Sequence, residues 1–157
     1  MIRYAILTLL ASLLFCTAPA FALDDTAALS GLTSVRAIFD VRTADEKKLQ
    51  FILGAIRDTM EQTQEQGVKP RYIASMRGPT VKLLVRARAG DPKLQQKTVA
   101  LINELKQSGI RLEACGYALD MFGLDEEDLY QGVDTVGNSL NSLIGYQTKG
   151  YALVTMN

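Results

Sequence analysis

The sequence contains no histidine and no tryptophan, and only two of its 157 residues are cysteines. Without histidine, a Ser-His-Asp or Cys-His catalytic arrangement, an HExxH zinc helix and an imidazole general base are all excluded. Any chemistry must therefore come from cysteine, carboxylates, lysine, arginine, tyrosine or backbone dipoles.

An excess of charge of either sign is also missing, because 17 basic residues balance 17 acidic ones. Nucleic-acid binders usually carry a strong basic excess, so we expect no nucleic-acid partner. GxGxxG, Walker A, GxSxG and CxxC motifs do not occur, which disfavours the large enzyme classes that they mark. The acidic run 125–128 lacks the alternating spacing and the glycine of a calcium loop, so we expect no metal and no cofactor.

The longest apolar run is short and lies at the N-terminus. Arg3 precedes it, and residues 5–15 are apolar apart from Thr8 and Ser12. The stretch Ala20-Phe21-Ala22 then offers small residues at the cleavage positions. This pattern predicts a secretory signal peptide over residues 1–22, cleaved after Ala22. The run is well short of the ~20 apolar residues that span a bilayer, so we expect no stable membrane span after cleavage and a periplasmic location.

Cleavage would leave a short lead, residues 23–34, and a single domain, residues 35–157. Cys16 would leave with the signal peptide, since Phe15 before it does not fit the small residue of a lipoprotein signal. Cys115 would then be the only cysteine and could form no internal disulfide. An ordinary hydrophobic core must therefore stabilise the domain.

Strand-like and helix-like segments alternate along this domain. Thr43 and Glu46 have the spacing of a capping box, and apolar residues then recur at helical spacing. The predicted strands cover residues 35–41, 71–76, 110–115, 132–136 and 151–155, and helices are predicted between 43 and 67, 80 and 88, 91 and 109, and 138 and 148. Such alternation predicts a three-layer α/β/α domain with a mostly parallel five-stranded sheet.

Cys115 falls at the predicted carboxyl end of the third strand, followed by Gly116 and a predicted helical turn from Tyr117. Ligands of such sheets usually bind beyond the carboxyl ends of the strands. A helix N-terminus stabilises a thiolate, the nucleophilic form of cysteine. A small core residue explains the position equally well, because free cysteine is among the most buried residue types.

Two more turns follow predicted strands. Arg77 and Gly78 close the second strand, where glycine allows close approach to a ligand and arginine offers a charged fork to an anion. Asn138 precedes the last helix, whose free N–H groups can hold an anion. An ordinary turn and ordinary capping explain these features as well. Arg77, Gly78, Gly116 and Asn138 are the candidate substrate-binding residues beside Cys115.

Charge is segregated along the chain. Eight basic residues and one acid lie between residues 69 and 97, and seven acids with no base lie between 112 and 148. Lys82 and Arg86 are predicted to share a helix face. The two stretches could pair between copies of the chain, the basic one could draw anions toward Arg77, or both could be solvated surface.

Several segments together resemble one family. They are the sequence Glu113-Ala114-Cys115-Gly116 after a strand, the Gly78 turn leading into residues 81–84, and residues 132–138, 143 and 147–152. From about residue 35 to residue 155 the chain resembles the DsrE/DsrF/TusD-like family. The resemblance implies a three-layer α/β domain that assembles into homo-oligomeric trimers or hexamers.

Several members of that family pass sulfur as a cysteine persulfide, and Cys115 is similar in position to their sulfur-accepting cysteine. The resemblance thus implies sulfur-donor or acceptor proteins, or small anionic sulfur compounds, as partners. Where relatives often have histidine before the turn glycine, this sequence has Arg77, so no role of that histidine transfers. With the predicted signal peptide, these features lead to a periplasmic DsrE-like protein that binds or relays sulfane sulfur on Cys115.

Two other hypotheses remain open at the level of sequence. The first is a non-catalytic homo-oligomeric binding or assembly module, in which Cys115 is a buried structural residue. The second is a reversible redox sensor that forms intermolecular Cys115 disulfides.

Overall fold

A computed structural model describes residues 25–86 and 92–157, and the predicted signal peptide lies outside them. The strands are β1 (Ser34–Val41), β2 (Lys69–Met76), β3 (Arg111–Cys115), β4 (Val133–Val136) and β5 (Ala152–Met156). The α-helices are α1 (Thr26–Leu29), α2 (Glu46–Glu65), α3 (Pro92–Gln107), α4 (Gly116–Phe122) and α5 (Ser139–Thr148). Over these residues, no helix combines the length and the apolarity that crossing a bilayer requires.

The five strands form one sheet in the order β4-β3-β2-β1-β5, and every pair is parallel. The chain moves outward from β1 through β2 and β3 to β4. Helix α5 then leads back across the sheet to β5, which pairs with the free edge of β1. The predicted five-stranded parallel sheet is confirmed.

Helices lie on both faces of this sheet. The larger core joins β1, β2 and β3 to α2 and α3, and the five apolar residues of α2 at helical spacing are all buried there: Leu49, Ile52, Leu53, Ile56 and Met60. On the opposite face, Leu143 of α5 covers Ile38 of β1 and Ile73 of β2. Two apolar faces with helices on each make the three layers that the sequence predicts.

The start of α2 differs from the predicted capping box. Asp45 is the N-cap, and its carboxylate accepts a hydrogen bond from the Lys48 N–H at 2.9 Å. The Thr43 hydroxyl instead accepts the Asp45 N–H at 3.1 Å. The capping-box prediction for Thr43 and Glu46 is therefore wrong, because a better N-cap residue lies two positions after Thr43.

The predicted helix between residues 80 and 88 is also wrong. A 3₁₀ turn, Gly78–Leu83, ends before Val85, which forms an antiparallel bridge with Leu129. The Arg86 N–H donates to the Asp128 carbonyl at 2.8 Å, and the Arg86 guanidinium donates to the Glu127 carbonyl. Lys82 and Arg86 consequently share no helix face, and the basic and acidic stretches of the sequence meet within one chain.

Thr80 ties this 3₁₀ turn to the end of β1. Its buried hydroxyl accepts the Thr43 N–H at 2.7 Å and donates to the Thr43 carbonyl at 3.0 Å. Thr80→Val keeps the shape but removes both bonds, so we expect a loss of about 1–3 kcal/mol of unfolding free energy in urea denaturation. Thr80→Ser keeps the hydroxyl and should lose clearly less; equal losses in the two variants would contradict this role.

Candidate functional site

The connections after β3 and β4 leave the sheet on opposite faces. Helix α4 follows β3 and places Ala118 and Leu119 in the larger core, whereas α5 follows β4 and covers the other face. Such a divergence creates a crevice at the carboxyl ends of the two strands, which is where ligands of open α/β sheets bind. Cys115 is the last residue of β3 and lies opposite Val136 of β4, so it stands at this crevice.

The Cys115 sulfur is buried and is approached by several N–H groups. The residue is 4% exposed, and its Sγ accepts the Ser139 N–H at 3.5 Å. Burial raises the pKa of the thiol, while the Ser139 hydroxyl and the backbone N–H groups of Ser139, Ala118 and Tyr117 lower it. The pKa is lowered on balance. The site therefore favours a thiolate at a position that an inert core cysteine could also occupy.

Asn138 and Ser139 organise the start of α5 beside this sulfur. The Asn138 side chain is the N-cap and accepts the Leu140 N–H at 2.9 Å, so the predicted candidate residue serves as a cap. Ser139 is the first residue of the helix and is fully buried. Sequence reasoning missed Ser139, because a serine next to a helix cap is common and only its contact with Cys115 distinguishes it.

Gly116 allows the two loops to touch. A Cβ at Gly116 would lie 3.1 Å from the Val136 carbonyl oxygen and 3.4 Å from that of Gly137. The Tyr117 N–H donates to the Gly137 carbonyl at 3.0 Å, which joins the start of α4 to the loop before α5. Gly116, which the sequence offers as a substrate-binding residue, thus makes its close contact with the backbone before α5, and this packing sets the distance from Cys115 to Ser139.

Arg77 lies next to Cys115 but is paired with another residue. Its Nε and Nη2 donate to the two carboxylate oxygens of Asp40 at 2.7 and 2.8 Å, and Asp40 is 5% exposed. This hydrogen bond is the main cause that raises the pKa of Arg77, and a smaller contribution comes from Cys115. The Arg77 guanidinium, which the sequence offers as a ligand for an anion, is therefore already bound to Asp40. Its positive charge still favours the thiolate form of the neighbouring Cys115.

Gly78 has a structural explanation in this turn. Its φ of +57° lies in the left-handed region, where residues with a side chain are strained. Its α-carbon faces the Arg42 side chain, whose Nε would be 3.7 Å from an added Cβ. The structure thus brings Arg77, Gly116 and Asn138 around Cys115, and it gives Gly78 the role of turning the chain after Arg77.

Sequence reasoning also missed a buried carboxylate, that of Glu113, which lies on the same face of β3 as Cys115. Glu113 is 1% exposed, accepts hydrogen bonds from the Ser142 and Tyr146 hydroxyls, and lies 3.2 Å from the Arg111 Nε. Burial, followed by the charge of Glu113, raises the pKa of Tyr146. This cluster lines an open groove of about 450 Å³ between α5 and the β3–β4 edge. The alternation of Arg111, Glu113 and Cys115 along the strand was the available signal.

The lowered pKa gives a testable pH dependence. We expect the alkylation rate of Cys115 by iodoacetamide to rise with pH about a midpoint below that of the same cysteine in urea-unfolded protein. By linkage, the thiolate stabilises the fold above the unfolded-state pKa, and this contribution is lost as the pH falls through the folded-state pKa. Urea unfolding of wild type and Cys115→Ala across this pH range should show the difference; coincident midpoints in folded and unfolded protein would contradict it.

The fold and site define a class: a doubly wound α/β domain with a lone cysteine at the switch point of a parallel sheet. The family model described as DsrE/DsrF-like family matches residues 74–156, more than half of the chain. The protein belongs to the DsrE/DsrF-like family. That family is generally linked to sulfur relay, so membership supports a sulfur-related role in this coarse sense.

The chain is also similar in sequence to a curated protein and in fold to solved structures. An uncharacterized protein of Aquifex aeolicus (strain VF5) is 26% identical over 125 residues, which are 76% of this chain and 55% of that relative. The chain thus spans about half the length of this curated relative. The structure of MTH1491, a protein of unknown function from Methanobacterium thermoautotrophicum, matches with a TM-score of 0.64 and 24% identity over 77% of this chain and 98% of its own. The ychN protein from E. coli matches with a TM-score of 0.55 and 16% identity over 79% and 98%.

Proposed function

We propose that this protein carries sulfane sulfur as a persulfide on Cys115. The observation that carries the proposal is the position of the nearly buried Cys115 sulfur at the start of α5, where it accepts the Ser139 N–H at 3.5 Å. The lowered pKa of this thiol supports the same assignment. A structural cysteine needs no such donors, whereas a sulfur-accepting thiolate does, because the thiolate is the nucleophile. Membership of the DsrE/DsrF-like family supports the same chemistry.

The loading step exchanges one sulfur–sulfur bond for another. The Cys115 thiolate attacks the terminal sulfur of a small or protein-bound persulfide, R–S–SH, and an Sγ–S bond forms as the donor's S–S bond breaks. The donor leaves as the thiolate R–S⁻ with the bonding electron pair, and the transferred sulfur keeps its proton until it ionises. Sulfur is transferred without net oxidation, and handing it to an acceptor thiolate repeats the step in reverse.

The location, the partners and the assembly state of the protein form part of the same proposal. The signal-peptide pattern of residues 1–22 supports a periplasmic site of action. The donor and the acceptor would be small anionic sulfur compounds or partner proteins, and the protein would work as a homo-oligomeric trimer or hexamer, as the family resemblance implies. Positive charge near Cys115 favours anionic donors only modestly, since Asp40 pairs with Arg77 and salt screens exposed charges over ~8 Å.

The addition of sulfur to Cys115 can be measured directly as an increase in the intact mass of the protein. We expect wild-type protein mixed with sodium polysulfide under anaerobic conditions to gain whole sulfur atoms in intact-mass spectra, and to lose them on reduction. Both proteins are prepared as the chain from residue 23, which lacks Cys16; Cys115→Ser keeps the approximate size of the side chain, leaves no cysteine and should gain none. Absence of added sulfur on wild type, or equal addition to Cys115→Ser, would overturn the proposal.

The second candidate is an assembly module in which Cys115 is a packing residue. Its support is the exposure of only 4%, together with the place of Cys115 in the larger core. This function predicts that a bulky maleimide labels Cys115 in urea but not in the folded protein, and that Cys115→Ala keeps its assembly state in size-exclusion chromatography. Sulfur loading of the folded wild type decides for the relay.

A further inference from the structure

The Ser139 hydroxyl is a buried donor close to the Cys115 sulfur. Its oxygen is shielded from solvent and makes no regular hydrogen bond to the other described residues, and Ser139 itself is 0% exposed. A buried hydroxyl without a regular hydrogen bond destabilises the fold, so its position here calls for an explanation. The neighbouring thiol responds to it, since this hydroxyl lowers the pKa of Cys115.

The backbone around Ser139 is arranged for negative charge. Helix α5 begins at Ser139 and is ten residues long, and the Ser139 N–H already points to the Cys115 sulfur at 3.5 Å. The first turn of a helix has N–H groups without intrahelical partners and carries partial positive charge. The Asn138 side chain occupies the Leu140 N–H, which leaves the Ser139 N–H and hydroxyl for the sulfur.

Resting on the proposed function, we propose that the Ser139 hydroxyl and the start of α5 bind the anionic outer sulfur of a Cys115 persulfide. In the unloaded protein the Ser139 hydroxyl lies beside the Cys115 thiol. Once a sulfane sulfur is added, the negative charge moves to the outer atom, and the hydroxyl donates a hydrogen bond to it. Ser139 is thus a sulfur-binding residue that holds the cargo until an acceptor thiolate arrives.

Lifetimes of the loaded protein test this assignment. Wild type, Ser139→Ala, Ser139→Thr and Thr148→Ala are loaded with polysulfide, freed of excess reagent and treated with cyanide, which removes sulfane sulfur as thiocyanate. Intact mass follows the loss of sulfur with time. We expect Ser139→Ala to load but to lose its sulfur about tenfold faster, because it lacks one hydrogen bond to an anion. Ser139→Thr should restore most of the lifetime.

Thr148→Ala is the matched control, since its exposed hydroxyl lies at the far end of the same helix and donates to the Ile144 carbonyl. It should behave as wild type. As a second readout, the pH midpoint for alkylation of the unloaded thiol should rise in Ser139→Ala and not in Thr148→Ala. Equal lifetimes and equal midpoints in wild type and Ser139→Ala would overturn the inference while leaving sulfur carriage intact. Failure of the proposed function would appear differently, as no sulfur on wild type.

Discussion

Arg77→Leu should lower the free energy of unfolding by about 3 kcal/mol, roughly a hundredfold change in the folding equilibrium. The variant leaves the Asp40 carboxylate, whose side chain is only 7% exposed, without the two hydrogen bonds that now balance its charge. Breaking a fully buried ion pair costs about 3–5 kcal/mol, and the lower end applies because the Arg77 side chain is 24% exposed. Urea denaturation at neutral pH measures the loss.

A double-mutant cycle isolates the interaction. Asp40→Leu should cost less than Arg77→Leu, because the remaining guanidinium can reach water whereas the remaining carboxylate cannot. The double variant should be more stable than the sum of the two single losses indicates, since apolar side chains then fill the site without a stranded charge. Additive losses, or a larger loss for Asp40→Leu, would show that the pair is not coupled in this way.

The regular part of the fold could be predicted from sequence because its signals are local. The buried face of α2 follows from the helical spacing of the apolar residues between Leu49 and Met60, and Gly109 marks the end of α3 with a φ of +84°. Alternation of strands and helices predicts a parallel sheet. The order of the strands does not follow from local signals, since the return of β5 to the edge of β1 depends on which face α5 covers.

Errors arose where contacts between distant segments decide the local structure. The segment after Leu83 has helical composition, but Leu84 and Val85 are buried and pair with the chain around residues 129 and 130. Strand β2 begins at Lys69, two residues before the predicted start, and contains Pro70 near its first residue, where proline is tolerated. Tertiary pairing outweighs local propensity in both places.

The candidate site likewise combines residues that local sequence signals identify with residues that only contacts between distant segments identify. Cys115 and Gly116 are visible in the sequence as the end of a strand, and Asn138 as a helix start. Ser139 and Asp40 are not, because each gains its role from a partner in a different segment: Ser139 from the thiol of Cys115, and Asp40 from the guanidinium of Arg77. Polar residues next to a cap or inside a strand are common, and only the three-dimensional arrangement shows which of them face the cysteine.

Gly116→Val should cost about 2 kcal/mol of unfolding free energy and raise the pKa of Cys115. A Cβ at this position would lie 3.1 Å from the Val136 carbonyl, a backbone atom that can yield only if the loop before α5 moves. Moving that loop draws the Ser139 N–H away from the sulfur and removes a hydrogen bond that favours the thiolate. Urea denaturation and the pH profile of iodoacetamide alkylation measure the two effects.

Gly54→Ala provides the opposite expectation within the same fold. Gly54 lies inside α2, and no atom of another segment lies within 4 Å of an added Cβ, so alanine should stabilise the protein by about 0.5–1 kcal/mol and leave the alkylation midpoint unchanged. Gly116→Ala should fall between wild type and Gly116→Val in both measurements, because one methyl group asks for a smaller shift of the loop. A Gly116→Val protein with wild-type stability and an unchanged alkylation midpoint would show that the two loops are not held together by this contact. The distance between cysteine and serine would then depend on the hydrogen bond from the Tyr117 N–H to the Gly137 carbonyl.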